Sequence, residues 1–364
     1  MKVSNRFLYY QLVKDLNQNT ENLFRLNSQI SSGKRIDTPS EDPIGLSSVL
    51  IYRTELNAFT QYKKSIDYAD GWLNRMDSIL QDTDDLLARA SELAVQAASA
   101  TATAQTRSGA AEEVEEIRSM ILANANAKFG NKYIFGGTMT QNPPFLWVDA
   151  RRWGEDVSTM SATPPAGPAD GDRYIDTDDD HVWLYDATSS SWVDQGTPAE
   201  GDAVMVDDRN MLLVFTDGQW ESLYQGNDAT FSVQIGKGNT AQTNIPGSQI
   251  FTNQQGDVFM SLLRLEHALR TNDVEGIRSE LTSIESASKI LSDNLAKIGA
   301  TVNKLDHTKS VIERSDVDTR EMVSNIEDLD YADAITRLKN QETIYEATLK
   351  SASMITSLSL VDFI

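Results

Sequence analysis

Phe59, Tyr62, Ile66, Ala69, Leu73, Met76, Leu80, Thr83, Leu87, Ala90, Ala94 and Ala97 follow one another in unbroken steps of three and four residues. Residues spaced in this way share one side of an α-helix. The pattern therefore commits about forty residues to one rod, roughly 55–60 Å long at 1.5 Å per residue. Such a helix needs partners to bury its stripe. The stripe shrinks to alanine at its far end, which lets a neighbouring helix approach closely there.

A partner of similar length is available near the other end of the chain. Val274, Ile277, Leu281, Ile284, Ser288, Leu291, Leu295, Ile298, Val302 and Leu305 keep the same alternation, with Asn272 and Asp273 as candidate caps. Two further stripes lie at the ends. Tyr9, Leu12, Leu16, Asn19, Leu23, Leu26 and Ile30 form a narrow coiled-coil seam with one polar member, Asn19. Gly33 stands where a helix usually stops. Ile335, Leu338, Tyr345, Leu349, Ala352 and Ile355 form a less regular stripe, with Glu342 at a position where an apolar residue is expected. A shorter helix is expected around Val114, Ile117 and Ile121. All nine prolines lie outside these long helical stretches, where one would cost roughly 3 kcal/mol.

The middle of the chain, from about 131 to 252, changes period. Gly171-Asp172-Arg173-Tyr174-Ile175 matches Gly201-Asp202-Ala203-Val204-Met205, and Val182-Trp183-Leu184-Tyr185 matches Leu212-Leu213-Val214-Phe215. After a gap, Trp192 matches Trp220. Each copy reads as three strands joined by turns, and Asp217-Gly218 is a strong hairpin signal. From Leu146 to Leu223 there are 17 acidic and 4 basic residues, while Met1 to Ile36 has six basic and two acidic. The expected fold class is α+β: a long antiparallel helical rod or coiled coil from the N- and C-terminal segments, with a β-rich insert in the middle.

Composition removes several function classes. The formal charge of −22 repels phosphate, so no nucleic-acid partner is expected. The absence of cysteine excludes disulfide frameworks and thiolate chemistry. The longest clean apolar run, Met211 to Phe215, is about a quarter of the roughly 20 residues a membrane-spanning helix needs. Met1 to Ile30 has no continuous apolar core of the kind a cleaved secretory signal carries.

The remaining chemistry is sparse. Asp176, Asp178 and Asp180 begin like a calcium loop, but His181 and Ala187 stand where Gly and Glu are needed, so a solvated turn is expected. Gly236-Lys237-Gly238 lacks the rest of a phosphate loop. His181, His267 and His307 are scattered, and no catalytic grouping follows from them. No enzyme activity, metal or cofactor is expected. Trp183, Tyr185, Trp192 and Trp220 form either a sugar-binding strip or the core of a small sheet. The terminal stripes are thin in apolar area and have little to pack on within one subunit. They are therefore expected to be an assembly interface: Leu12, Leu16, Leu23, Leu26 and Ile30 with Ile335, Leu338, Tyr345, Leu349, Ala352 and Ile355.

Three stretches carry a family resemblance. Gln29-Ile30-Ser31-Ser32-Gly33-Lys34-Arg35-Ile36 is followed by Pro39-Ser40-Glu41-Asp42-Pro43, and Tyr133-Ile134-Phe135-Gly136-Gly137-Thr138 by Pro143-Pro144-Phe145. Ile298 to Leu305 precedes the ending Ser357-Leu358-Ser359-Leu360-Val361-Asp362-Phe363-Ile364. With these, residues 1–145 and 225–364 resemble the bacterial flagellin superfamily. Within it they look most like the hook-associated branch at the hook–filament junction. Filament flagellins usually show an Ala-rich Asp-Asp segment where this chain has Pro-Ser-Glu-Asp-Pro, and commonly end in Leu-Leu.

The resemblance implies a structural protein of the flagellum, a mechanical adapter joining hook to filament. The alternatives are filament flagellin and, from another class, a carbohydrate-binding adhesin acting through the insert. The implied partners are copies of itself in a ring-like layer, a neighbouring hook-associated protein, flagellin on the filament side and an export chaperone. Type III export to the outside without a cleaved signal is implied as well, and so are terminal helices that fold on assembly. The expected organisation is an axial helix and loop over 1–45 that packs with a second axial helix over 325–364. Between them come rod halves at 46–138 and 253–324, and an outer insert at 139–252 with repeats at 171–196 and 201–223.

Overall fold

The computed structural model describes residues 2–36, 38, 40–146, 156–207, 211–253 and 255–361, with side chains described at 7 and from 10 to 354 where the terminal helices are concerned. The chain is α+β. In order it forms α1 (Lys2–Ser32), α2 (Pro43–Ala97), α3 (Ala104–Ala125), β1 (Lys128–Phe129) and β2 (Lys132–Tyr133). There follow β3 (Thr159–Ser161), β4 (Arg173–Asp176), β5 (Val182–Asp186), β6 (Ser191–Asp194), β7 (Ala203–Val206), β8 (Met211–Thr216) and β9 (Gln219–Ser222). The last elements are β10 (Ser232–Gly236), β11 (Asn239–Gln242), β12 (Thr252–Asn253), β13 (Gly256–Asp257), α4 (Val258–Thr271), α5 (Val274–Glu327) and α6 (Tyr331–Val361). They divide into two compact units, one of residues 1–63 with 309–364 and the other of 64–308, with α2 and α5 contributing to both.

In the larger unit the α2 stripe is core. Ile66, Leu73, Met76, Leu80 and Leu87 are buried, and the alanines at 90, 94 and 97 are closed off as their size requires. Pro43 starts α2 at the one helical turn where a missing N–H costs nothing. On α5 the strict seven-residue series Ile277, Ile284, Leu291, Ile298 and Leu305 is buried. The alternate positions differ from the sequence expectation. Glu280, Ala287 and Asn294 are buried, whereas Leu281, Ser288 and Leu295 are only half-buried. Two of the polar side chains on this helix are hydrogen-bonded. Asn294 donates to the Ile290 carbonyl at 2.8 Å, and Ser288 donates to Asp84 at 2.6 Å. Asn272 proves to be the left-handed C-cap of α4, with φ of 61°, rather than a cap for α5. Asp273 alone accepts from the first turn of α5.

The Tyr-Ile-Phe-Gly-Gly stretch is a packing device in this unit. Ile134 and Phe135 are fully buried, and the Phe135 ring meets Phe251 edge-on at 5.1 Å. Gly137 has φ of 66°, and a Cβ there would collide with the Asn227 backbone. Asn126 at the end of α3 holds Phe145 through both its backbone N–H and its carbonyl, each at 3.0 Å.

The internal repeat is a structural repeat. β4–β5–β6 and β7–β8–β9 are antiparallel meanders of matching register, Tyr174 opposite Trp183 and Val204 opposite Leu213. Gly171 and Gly201 both donate backward across the pair, to the Tyr185 and Phe215 carbonyls at 3.1 and 2.9 Å. Asp172 and Asp202 accept from the Ala169 and Ala199 amides at 2.7 and 2.8 Å. The modules share one core, in which Val157, Ile175, Val204, Val206, Leu213, Phe215 and Trp220 are buried together. The opposite face of the second module, with Ala203, Leu212 and Val214, packs on Leu122 of α3 and Phe259 and Leu263 of α4.

Candidate assembly surface

The site begins at the end of α1. Gly33 stops the helix with φ of 72°, and its N–H still reaches the Gln29 carbonyl at 2.9 Å. A Cβ there would stand 2.8 Å from the Tyr331 hydroxyl, so glycine also lets α6 start alongside. Beyond it the chain pairs with the turn between α5 and α6. The Leu329 N–H donates to the Gly33 carbonyl at 3.0 Å, and the Arg35 N–H donates to the Glu327 carbonyl at 2.6 Å. The Arg35 guanidinium covers the exposed Ile326 carbonyl at 2.8 Å, which satisfies an orphan acceptor at the end of α5.

Glu327 gathers the surrounding charge. Its carboxylate is buried and meets Lys34 at 2.8 Å, and Arg53 donates to both its oxygens at 2.7 Å. Asp42 caps α2 by accepting from the Gly45 N–H at 2.8 Å, a bond that lowers its pKa, with a further contribution from Arg35. The Lys34-Arg35 pair and the Asp42-Pro43 pair are thus the lock that closes the α1–α2 loop onto the α5–α6 turn.

From that lock α1 and α6 run antiparallel. Gly33 lies at Leu329, Asn19 at Gln341 and Thr348, and Leu12 beside Ile344 and Thr348. The two stripes, expected to fold on assembly, are each other's partner within a single chain. Asn19, the polar member of its seam, donates to the Thr348 hydroxyl at 3.2 Å and accepts from Gln341 at 3.0 Å. The α6 seam is therefore Ala334, Leu338, Gln341, Tyr345, Thr348 and Ala352, the residues buried or half-buried along that helix at steps of four and three.

The proposed interface residues divide accordingly. Leu12, Leu16, Leu23, Leu26 and Ile30 on α1, and Leu338, Tyr345 and Ala352 on α6, are at least half-buried in a single chain, Leu26 most fully. They are hairpin core first. Ile335 and Leu349, two heptads apart, lie on an exposed stripe of α6 instead. The side chains of Tyr9 and Ile355 lie outside the described residues, as do Pro39 and the ending Asp362-Phe363-Ile364.

Beyond Ile335 and Leu349, the exposed apolar surface was not anticipated from the sequence. Fourteen of the nineteen large apolar side chains exposed among the described residues belong to the smaller unit. Phe7, Tyr10 and Phe24 share one stripe of α1, with Phe24 72% exposed. Ile44 and Ile51 on α2 and Ile344 on α6 are exposed too. The available signal was a second set of apolar residues left over once the seam was assigned. Contiguous exposed apolar residues commonly mark interaction sites.

The aromatic strip divides as well. Trp220 is buried in the shared core, where its indole N–H donates to the Asp180 carbonyl at 2.9 Å. Trp183, Tyr185 and Trp192 stay together on the other module, partly exposed.

Comparison with known proteins adds identity to this geometry. The bacterial flagellin N-terminal helical region matches residues 3–140, and the bacterial flagellin C-terminal helical region matches 281–364. Flagellar hook-associated protein 3 of Salmonella typhimurium is 28% identical over 146 residues, 40% of this chain and 46% of that protein. The chain thus spans about half the length of the hook-associated relatives it matches. Flagellin of Clostridium tyrobutyricum is 22% identical over 360 residues, 91% of this chain and 93% of its own. A putative flagellar hook-associated protein from Vibrio parahaemolyticus shares the fold, with a TM-score of 0.54 at 16% identity over 79% of this chain and all of that one.

Proposed function

This chain belongs to the bacterial flagellin family, and on that premise we propose that it is a non-catalytic adapter at the junction of flagellar hook and filament. The carrying observation is the smaller unit. Its two terminal helices satisfy each other along one seam and still present Phe7, Tyr10, Phe24, Ile335, Ile344 and Leu349 outward. Burying a leucine-sized side chain stabilises by roughly 1.5–3 kcal/mol, so neighbouring subunits covering these stripes would hold one another firmly.

In this reading residues 1–45 and 325–364 are the axial elements, 46–138 and 253–324 the rod, and 139–252 the outer insert. Partners are further copies in a ring-like layer, a hook-associated protein below and flagellin above. The chain reaches them by export from the cell, with a chaperone covering the terminal stripes until assembly. The hook-associated names among its relatives favour the junction over the filament body. Labelling the protein on intact flagella tests this: one band between hook and filament is expected, and label along the whole filament would mean filament flagellin instead.

A further inference from the structure

The two β modules have one backbone and differ in what their equivalent faces carry. In the second module Val204, Leu213, Phe215 and Trp220 point at the first module and are buried there with Ile175. In the first module the corresponding positions hold Tyr174, Trp183, Tyr185 and Trp192. Strand alternation puts these on the face opposite Ile175, so the second module does not cover them. Tyr174 is buried and forms the floor. Trp192 stands edge-on to Tyr174 at 4.8 Å and to Tyr185 at 5.3 Å, and Trp183 lies nearly parallel to Tyr174 at 6.5 Å. Trp183, Tyr185 and Trp192 each remain partly exposed.

An open face of a small antiparallel sheet ordinarily alternates to polar residues. This one carries aromatics, each with an apolar body and a polar tip. Its margins are hydroxyls and carboxylates. Thr159 and Ser161 of β3 stand in register with Tyr174 and Asp176, and Asp194 pairs with Trp183 across β5 and β6, its carboxylate held by the His181 ring at 3.0 Å. Residues 171–196 hold seven aspartates against one arginine. Acidic ligands are repelled from such a rim, and hydroxyl and ammonium groups are matched by it.

We propose that the Trp183–Tyr185–Trp192 face binds carbohydrate, specifically sugar chains free of acidic groups, with amino-bearing chains preferred. The C–H faces of the sugar rings lie on Trp192, Tyr185 and Trp183. Hydroxyls and amines reach Ser161 and Asp176. The charge of the module decides the class: an ammonium on the sugar is drawn to the rim, and a sulfate or carboxylate is not. This site is independent of the assembly role.

The full chain would be titrated with a glucosamine hexamer, its N-acetylated form, a sulfated glycan and polylysine, followed by tryptophan fluorescence and calorimetry. The expected result is tightest binding of the glucosamine hexamer, weaker binding of the acetylated form and none of the sulfated glycan. Trp192→Leu, which keeps apolar bulk on β6 but removes the ring, should weaken sugar binding at least tenfold, and Trp192→Tyr should restore it to within threefold. Polylysine should be insensitive to both. The proposal is overturned if no sugar binds at millimolar concentration. It is also overturned if Trp192→Leu leaves affinity unchanged while its circular dichroism matches wild type, or if polylysine binds as tightly as the sugar, which would mean an acidic patch only.

Discussion

Arg53, on the first turns of α2, holds both carboxylate oxygens of Glu327 at 2.7 Å across 274 residues of sequence. Lys34 reaches the same carboxylate at 2.8 Å. One buried acid thus ties together the loop after α1, the start of α2 and the end of α5. Removing it leaves two cations facing each other and frees the backbone pairing beside it. Because Arg53 and Lys34 are nearly half exposed, Glu327→Ala should cost about 1–3 kcal/mol rather than the full penalty for breaking a buried pair. Hydrogen exchange should report it locally. The Arg35 and Leu329 amides should lose protection, while those of residues 66–97 keep theirs.

Asn19 offers a double-mutant cycle. Asn19→Leu strips a partner from Gln341 and from Thr348, at about 1–2 kcal/mol. Asn19→Leu with Gln341→Leu restores an apolar seam and should regain or exceed wild-type melting. A polar seam pair fixes register at a cost in stability. The double variant should therefore let α1 slip against α6. Cysteine cross-linking between positions 12 and 348 would then fall in yield although the melting temperature has risen.

Much of this architecture was legible because it depends on period. The α2 stripe from Ile66 to Ala97, the α1 seam and the duplicated meander all follow from spacing alone. Reading failed where polar residues replace apolar ones in a seam. On α6 Ile335 and Leu349, expected at an interface, stay exposed, while the seam against α1 runs through Gln341 and Thr348, because Asn19 on the facing helix pairs with them. On α5 the same substitution occurs at Asn294. Of the two readings open for the four aromatics, Trp220 takes the core alone, because equivalent residues of a repeat need not face equivalent surroundings and only one module has a neighbour on that side. On the exposed apolar stripes, Ile335 and Leu349 were expected as interface residues, whereas Phe7, Tyr10, Phe24 and Ile344 carried no assignment.

Asp257 predicts a pH dependence. It is buried at the N-terminus of α4, where it accepts from the Met260 N–H at 2.9 Å. Desolvation raises its pKa to about 7, against the lowering effect of the Met260 and Phe259 N–H groups and Arg264. The folded pKa lies above the unfolded value of 3.8. The folded state therefore holds a proton that the unfolded state has lost, and stability falls as pH rises from about 4 through about 7. Asp257→Asn keeps an acceptor for the helix cap and removes the titration. The melting temperatures of variant and wild type should be close at about pH 4 and diverge up to about pH 7, with the variant higher. Parallel curves across that range would assign the proton to another group.

Leu26 and Leu349 separate hairpin core from assembly surface. Leu26 is buried in the α1 seam, so Leu26→Asp places an unpaired charge against α6 and loses apolar burial, together about 2–5 kcal/mol. It should lower the melting of the terminal hairpin in the isolated chain. Leu349 is 42% exposed on the outward stripe of α6. Leu349→Asp should therefore shift the isolated chain by no more than about 0.5 kcal/mol. In an assembly the same change costs roughly 1.5–3 kcal/mol at every subunit, because each copy presents the residue once. Cells carrying Leu349→Asp should consequently make hooks that shed their filaments, although the purified chain melts like wild type. Leu26→Asp should show both defects. If Leu349→Asp cells keep their filaments, the outward stripe of α6 faces solvent in the flagellum, and the contact between subunits must be sought on Phe7, Tyr10 and Phe24 of α1.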